Sequence, residues 1–184
     1  MSEKNRRSND WQKAALCHLD ALYGFAMALT RSPIEAEDLV QETYMQAVQH
    51  FSRLRPDSNL KGWLFTIMRN AWLKKLRHQR NGPEFVALEE DDVEQHTVDT
   101  DDPQALTIRI WEREEIRVGL EQLPTDWREI IVLRDMEGFS YKEMAEILDC
   151  PVGTIMSRLA RARTKLKRVL CARQVPVLQK RNNG

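Results

Sequence analysis

Between Phe139 and Leu170 the chain reads FSYKEMAEILDCPVGTIMSRLARARTKLKRVL, a pattern with few structural solutions. Ser140 and Glu143 have the S-x-x-E spacing of a capping box, which starts a short helix carrying Met144, Ile147 and Leu148 on one side. Asp149-Cys150-Pro151 ends it, because the residue before a proline is pushed out of the helical region. Gly153 and Thr154 then open a longer helix, with Thr154 as its N-cap. Ile155, Leu159, Ala162, Leu166 and Leu170 recur as one apolar stripe. Off the stripe lie Ser157, Arg158, Arg161, Arg163, Lys165, Lys167 and Arg168, and no Asp or Glu occurs from Cys150 to Gly184. A capped short helix, a tight Pro-Gly turn and a basic second helix form a helix-turn-helix, whose second helix enters the DNA major groove. Its cations meet phosphates without regard to sequence. Residues near its N-terminus, here Thr154, Met156, Ser157 and Arg158, are placed to reach base edges.

The formal net charge of zero conceals an uneven layout. Residues 1–82 hold 13 Lys and Arg against 8 Asp and Glu, residues 83–115 hold 2 against 12, and residues 116–184 hold 13 against 8. Two basic blocks around an acidic one imply two modules and a linker. The expected fold class is therefore all-α: two small helical domains joined by an acidic flexible linker. The boundaries are a polar tail at 1–9, a three-to-four-helix bundle over 10–82, the linker at 83–103, a four-helix bundle with the helix-turn-helix over 104–174, and a tail at 175–184.

In the first module, residues Asp10 to Arg31 read as one helix with Ala15, Leu19, Leu22, Ala26 and Leu29 on a face. Ser32-Pro33-x-Glu35 gives the next start, with Ser32 as N-cap and Glu35 closing the box. The helix after it turns Leu39, Thr43 and Ala47 inward and leaves Asp38, Gln41, Glu42 and Gln46 outside. A loop over Arg53–Asn59 precedes a third helix that buries Leu60, Leu64, Ile67 and Ala71. That helix interleaves Trp63, Phe65 and Trp72 with Lys61, Arg69, Lys74, Lys75, Arg77, His78 and Arg80. Some of these rings belong to the core. The mixture also suits a surface that tracks phosphates and stacks exposed bases, so single-stranded nucleic acid is a candidate ligand. In the second module Asp102-Pro103 restarts helix, with Ile108, Trp111, Ile116, Leu120 and Leu123 as its apolar positions. Pro124 begins TDWREIIVLRDM, which Gly138 closes.

Phosphate-cradling, dinucleotide, zinc-protease and nucleophile-elbow motifs are all missing, and the four histidines are scattered, so no catalytic activity and no cofactor or metal is expected. Cys17, Cys150 and Cys171 form no C-x-x-C pair and read as free thiols in a reducing compartment. No apolar run approaches the roughly 20 residues that span a bilayer, and the N-terminus is polar, so a cytoplasmic location without membrane insertion is expected.

Three stretches resemble one family, the extracytoplasmic-function sigma factors, small two-domain specificity subunits of bacterial RNA polymerase. AEDLVQETYMQA (36–47) is similar to the family's polymerase-binding helix. NLKGWLFTIMRNAWLKKLR (59–77) is similar to its minus-ten-element helix, and LPTDWREIIVLRDMEGFSYKEMAEILDCPVGTIMSRLARARTKL (123–166) to its minus-thirty-five-element domain. The resemblance identifies the two modules with sigma domains 2 and 4. It implies core RNA polymerase and promoter DNA, duplex and melted, as partners, a stress-response regulon, and an anti-sigma factor.

By the same resemblance, Asp38, Leu39, Gln41 and Glu42 would dock on the polymerase's largest subunit. Leu54, Ile67, Asn70 and Lys74 would surround a base flipped from the non-template strand, beside Lys61, Trp63, Arg69, Lys75 and Arg77 of the basic helix. Arg134, Tyr141, Lys142, Ser157 and Arg161 would contact the upstream element. Met156 stands where the family usually has Lys or Arg, and Ala160 where it often has a bulkier residue. The first removes a phosphate or base contact, and the second weakens the case for an apolar contact to a thymine methyl. The acidic linker would occupy the polymerase's RNA path and, in the free protein, fold back on the basic faces. Two competing functions remain. One is a helix-turn-helix regulator that is not a polymerase subunit, although residues 1–82 lack the βα alternation of a receiver. The other is an interaction protein that binds acidic partners.

Overall fold

The computed structural model describes residues 11, 13–51, 54–55, 58–81 and 115–181, and every regular element among them is helical. The acidic linker and the Ile108 and Trp111 positions lie outside the described residues. In the first module α1 is Leu19–Thr30, α2 is Pro33–His50 and α3 is Leu60–Asn81. In the second, a helical stretch over residues 115–121 precedes α4 (Thr125–Ile131), α5 (Tyr141–Leu148) and α6 (Val152–Arg181).

The first helix is not continuous from Asp10 to Arg31 as its periodicity suggests. A turn at Cys17 and His18 separates residues 13–16 from α1. The break rotates Leu19 out of the core, leaving it 43% exposed, while Leu22, Phe25, Ala26 and Leu29 are buried. α2 starts as expected: the Ser32 side chain accepts from the Glu35 N–H, with Pro33 in the first turn. The box is only half closed, however, because the Glu35 carboxylate turns to Lys75 Nζ at 2.9 Å. α2 buries Ala36, Leu39, Val40, Thr43 and Ala47, and α3 buries Leu64, Phe65, Met68, Ala71 and Trp72. Leu60 and Ile67 are only partly buried, since the stripe of α3 is centred one residue further along than expected.

In the second module Leu120 and Leu123 are buried, but Ile116 is 37% exposed, at the edge of the bundle. Gly119 is a close-approach position. A Cβ there would meet Leu170 Cδ2 at 2.9 Å and Leu166 Cδ1 at 3.0 Å, so the lack of a side chain lets α6 lie against residues 115–121. TDWREIIVLRDM is not uniform helix. From Val132 to Met136 the winding widens, and the Glu137 N–H reaches back five residues to the Val132 carbonyl. Gly138 then takes φ +74°, the left-handed region that favours glycine, and the Phe139 N–H returns to the Leu133 carbonyl at 3.0 Å. α5 has the full reciprocal capping box of Ser140 and Glu143. α6 begins at Val152, with the Pro151 carbonyl accepting from the Thr154 and Ile155 N–H groups. Thr154 thus lies inside the first turn and is not the N-cap. With no glycine between Gly153 and Gly184, α6 runs to Arg181, past the expected end at 174.

The two modules are packed together. α1 lies against α4 and its widened continuation, and α3 against α5. Phe139 of the second module, 3% exposed, meets Phe65 of the first edge to face at a centroid distance of 5.0 Å, and Phe65 meets Phe25 at 5.0 Å. This aromatic row joins the two cores into one.

Candidate nucleic-acid interface

The outer face of α6 exists because its inner face is spent on packing. Ile155, Leu159 and Ala162 are buried, which turns Met156, Ser157 and Arg161 outward and leaves them exposed. Arg163 is tied down instead: its Nε donates to Asp135 Oδ2 at 2.9 Å, its Nη2 donates to Asp135 Oδ1, and the carboxylate raises its already high pKa. Ser157 Oγ donates to the Thr154 carbonyl at 3.0 Å. Lys142 is exposed at the start of α5 and Tyr141 is partly buried. Arg134 is occupied within the fold, donating from Nη1 to the Phe139 carbonyl at 2.7 Å with its guanidinium 4.9 Å from the Tyr141 ring centre. It holds the turn before the helix-turn-helix in shape. Thr154 and Arg158 are half-buried. Between α4 and α6, a groove of about 370 Å³ is lined by Trp127, Ala160, Arg161, Thr164, Lys165 and Arg168. Of these, Ala160 and Arg161 were singled out by sequence, whereas Trp127 and Thr164 were not, although the run of cations there was visible.

The polar and cationic residues among the expected minus-ten set divide into two groups. Asn70, Lys74 and Arg77 are exposed along α3. Lys61, Arg69 and Lys75 are instead ion-paired: Lys61 Nζ to Glu137 Oε2 at 2.8 Å, Arg69 Nε to Glu129 Oε2 at 3.0 Å, and Lys75 Nζ to Glu35 Oε1 at 2.9 Å. Phe65 and Trp72 are core, so of the three rings in α3 only Trp63 is left partly exposed. It lines a cavity of about 550 Å³ with His50, Leu54, Arg55 and Ser58. The structure thus brings Leu54 and Trp63 together but leaves Ile67, Asn70 and Lys74 off that cavity. It adds His50, Arg55 and Ser58, whose sequence signal was only that a loop follows a helix end.

On α2, Asp38 and Gln41 are exposed and Glu42 is half-buried, accepting from Gln46 Nε2 at 2.9 Å. Leu39 follows the helical pattern, which turns it inward, and not the docking role that the resemblance implies. At 3% exposure it is a core residue, because its position in the helical repeat matches that of Thr43. Ile34, Met45 and Val48 share the outward face with Asp38 and Gln41 and are more than half exposed. Apolar residues off the buried stripe were the signal that could have found them.

Electrostatics concentrate where the modules meet. Burial pushes the Glu129 carboxyl up from its usual range, and the Arg69 guanidinium pulls the other way. His18 is lowered, first by burial and then by the Lys61 ammonium. Glu143 is lowered by its hydrogen bonds from the Ser140 hydroxyl and N–H. Among the described residues no group of three or more His, Cys, Asp or Glu side chains is placed to hold a metal.

Known proteins match both modules in chain order. Residues 15–82 match the family model described as Sigma-70 region 2, and residues 113–166 match Sigma-70, region 4. An ECF RNA polymerase sigma factor EcfG from Rhodopseudomonas palustris is 39% identical over 155 residues, covering 84% of this chain and 82% of that protein. An ECF RNA polymerase sigma-E factor from Escherichia coli is 34% identical over 70% of each chain. Among solved structures, the sigma factor RpoE from Bartonella quintana, in complex with the anti-sigma factor NepR, has a TM-score of 0.68 and 35% identity, covering 88% of this chain and 96% of that one. CnrH in complex with the cytosolic domain of CnrY has a TM-score of 0.60 at 25% identity, covering 88% of each chain.

Proposed function

The chain belongs to the extracytoplasmic-function RNA polymerase sigma factors, and from that premise we propose how its two modules share the work of promoter recognition. It is a sigma factor: it binds core RNA polymerase, recognises promoter DNA and supports the start of transcription. Such a protein is a regulatory subunit, and the catalysis of RNA synthesis resides in the polymerase. The second module would engage the upstream element as duplex through Ser157, Arg161, Lys142 and the neighbouring residues of α6, which fixes register. The first would capture a base from the melted strand in the cavity beside Trp63 and Leu54, with Asn70, Lys74 and Arg77 on the adjoining backbone. Extruding a base costs a few kcal/mol, and its capture recovers that cost. Asp38 and Gln41, together with Met45 and Val48, would dock on the polymerase.

The observation that carries this reading is the order of the two family matches on two modules, with the outer face of α6 exposed. A non-polymerase regulator has no use for a region 2 module. The solved sigma factor RpoE, bound to the anti-sigma factor NepR, supports the expectation of such a partner for this chain, and the family supports a stress-response regulon. No described helix is long and apolar enough to cross a membrane, and the proposed place of action is the cytoplasm. Run-off transcription with purified bacterial core polymerase tests the assignment. Full-length RNA from a cognate promoter is expected only when the chain is added, and its absence from every promoter of the host would overturn it.

A further inference from the structure

The start of α6 carries no charge. From Val152 to Ser157 it reads VGTIMS, and the first cation of the helix is Arg158. This is the part of a recognition helix that meets base edges in the major groove. With Ile155 and Leu159 buried, the opposite side presents Gly153, Met156, Ser157, Ala160 and Thr164 as one outward strip, all exposed and all uncharged. Arg161, Lys165 and Arg168 lie to one side of it, around the groove beside Trp127.

The strip is uneven in height. A Cβ added at Gly153 would meet nothing within 4 Å, so no part of the fold requires that position to be bare. Ser157 and Ala160 are small as well, and Met156 therefore stands above its neighbours, 53% exposed. Val152, one turn earlier, is 40% exposed beside it. Ser157 Oγ already donates to the Thr154 carbonyl at 3.0 Å, so towards a ligand its hydroxyl can only accept.

We propose that Met156 is a specificity-determining residue that selects thymine: its side chain, with Val152 behind it, packs on the C5-methyl of one thymine in the upstream element, and Ser157 accepts from the amino group of an adjacent adenine or cytosine. The inference rests on the proposed engagement of the upstream duplex by α6, and it names the base that the first turns of that helix select. Groove chemistry decides between the bases. Guanine presents two acceptors and is read by the donors of Arg or Lys, which are missing from the start of α6. The thymine methyl is the apolar group on the major-groove edges, and an unbranched, polarisable side chain fits itself to such a group readily. Ala160 lies one turn further on, but its single methyl reaches less far. The cations of the later turns hold phosphates, which sets affinity and register and leaves the choice of base to the uncharged tip.

Full-length chain, with and without bacterial core polymerase, is used to select bound duplexes from a promoter pool randomised over the upstream element. The selected element is expected to hold a fixed thymine. Replacing it by deoxyuridine, which removes only the methyl, should weaken binding by about three- to five-fold, as for one buried methyl group. Indifference to uracil at every thymine, an element without thymine, or no selected element at all would overturn the proposal, and this arm uses the wild-type chain alone. Met156→Ala is expected to bind the thymine and uracil duplexes within about 1.5-fold of each other, while Met156→Leu retains the discrimination. A uracil effect undiminished in Met156→Ala would refute the assignment to this side chain. Met156→Lys is expected to exchange thymine for guanine at the same position, and retention of thymine there would count against the proposal. Run-off transcription reads the sigma assignment separately. A chain that transcribes with indifference to uracil loses this inference and keeps its function, and a chain that selects thymine without ever directing transcription does the reverse.

Discussion

Lys61 and Arg69 on α3 and Lys142 and Arg161 on the second module carry the same charge, yet they meet different surroundings. The first pair points into the seam between modules and is held by carboxylates, while the second pair is exposed. The difference follows from where the second module keeps its acids. From Cys150 onward there are none, so the outer face of α6 has no internal competitor for phosphate. Glu129, Glu137 and Glu143 lie on α4, the turn and α5, the elements that face the first module. Basic composition therefore indicates a nucleic-acid face in both modules. Only the partner across the interface decides whether that face is available.

The sharpest way to break this comparison is to remove the contact that holds the seam. Phe139→Ala deletes a buried ring and is expected to cost about 3–5 kcal/mol, read as a lower urea midpoint and a larger hydrodynamic radius. If the radius is unchanged, the aromatic row does not join the modules. Next in size is a contrast within α2. Leu39→Ala should cost about 2–5 kcal/mol of stability as a core truncation. Gln41→Ala should leave the unfolding free energy within about 0.5 kcal/mol of wild type while weakening polymerase binding.

Arg69→Met separates the modules' cations by their pH behaviour. It strips Glu129 of its partner and should destabilise the chain by about 1–3 kcal/mol near neutrality. Burial already raises the Glu129 carboxyl above 4.5, and loss of the guanidinium raises it further. Folding therefore shifts this carboxyl toward protonation relative to the unfolded chain, more so without Arg69, and the penalty should shrink as pH falls toward 4.5 and the carboxyl protonates. A penalty independent of pH would mean that Arg69 acts by packing alone. Arg161→Ala, by contrast, should leave stability untouched and weaken promoter binding by about 1–3 kcal/mol. The smallest expected effect is Ser140→Ala, about 1 kcal/mol for a lost cap. Glu143 is lowered below 4.5, so its contribution to the capping box is present above that value and is lost as pH falls through the depressed one. Acid melts of wild type and Glu143→Gln should converge below that point.

Much of the architecture was legible without coordinates. The Ser140 box, the stop at Asp149, the Ser32 cap, the inward set of α2 and the stripe of α6 all rest on interactions within a few residues, which spacing reports directly. Other features were not legible in the spacing of apolar residues: the break at Cys17 and His18, the exposure of Leu19 and Ile116, and the widened turn at Val132–Met136. Leu39 failed differently: resemblance assigned it to a docking surface, while its own place in the α2 repeat put it inside.

What the residues determined alone were the helices, their caps and the sign of charge each module shows to solvent, because these depend on neighbours along the chain. What only the tertiary structure decided was which cations remain open. Glu129 and Glu137 stand 60 and 76 residues from Arg69 and Lys61, and no local rule links positions so far apart. Packing Phe139 against Phe65 brought them within hydrogen-bonding reach, and at that distance a carboxylate and a phosphate compete for the same cation.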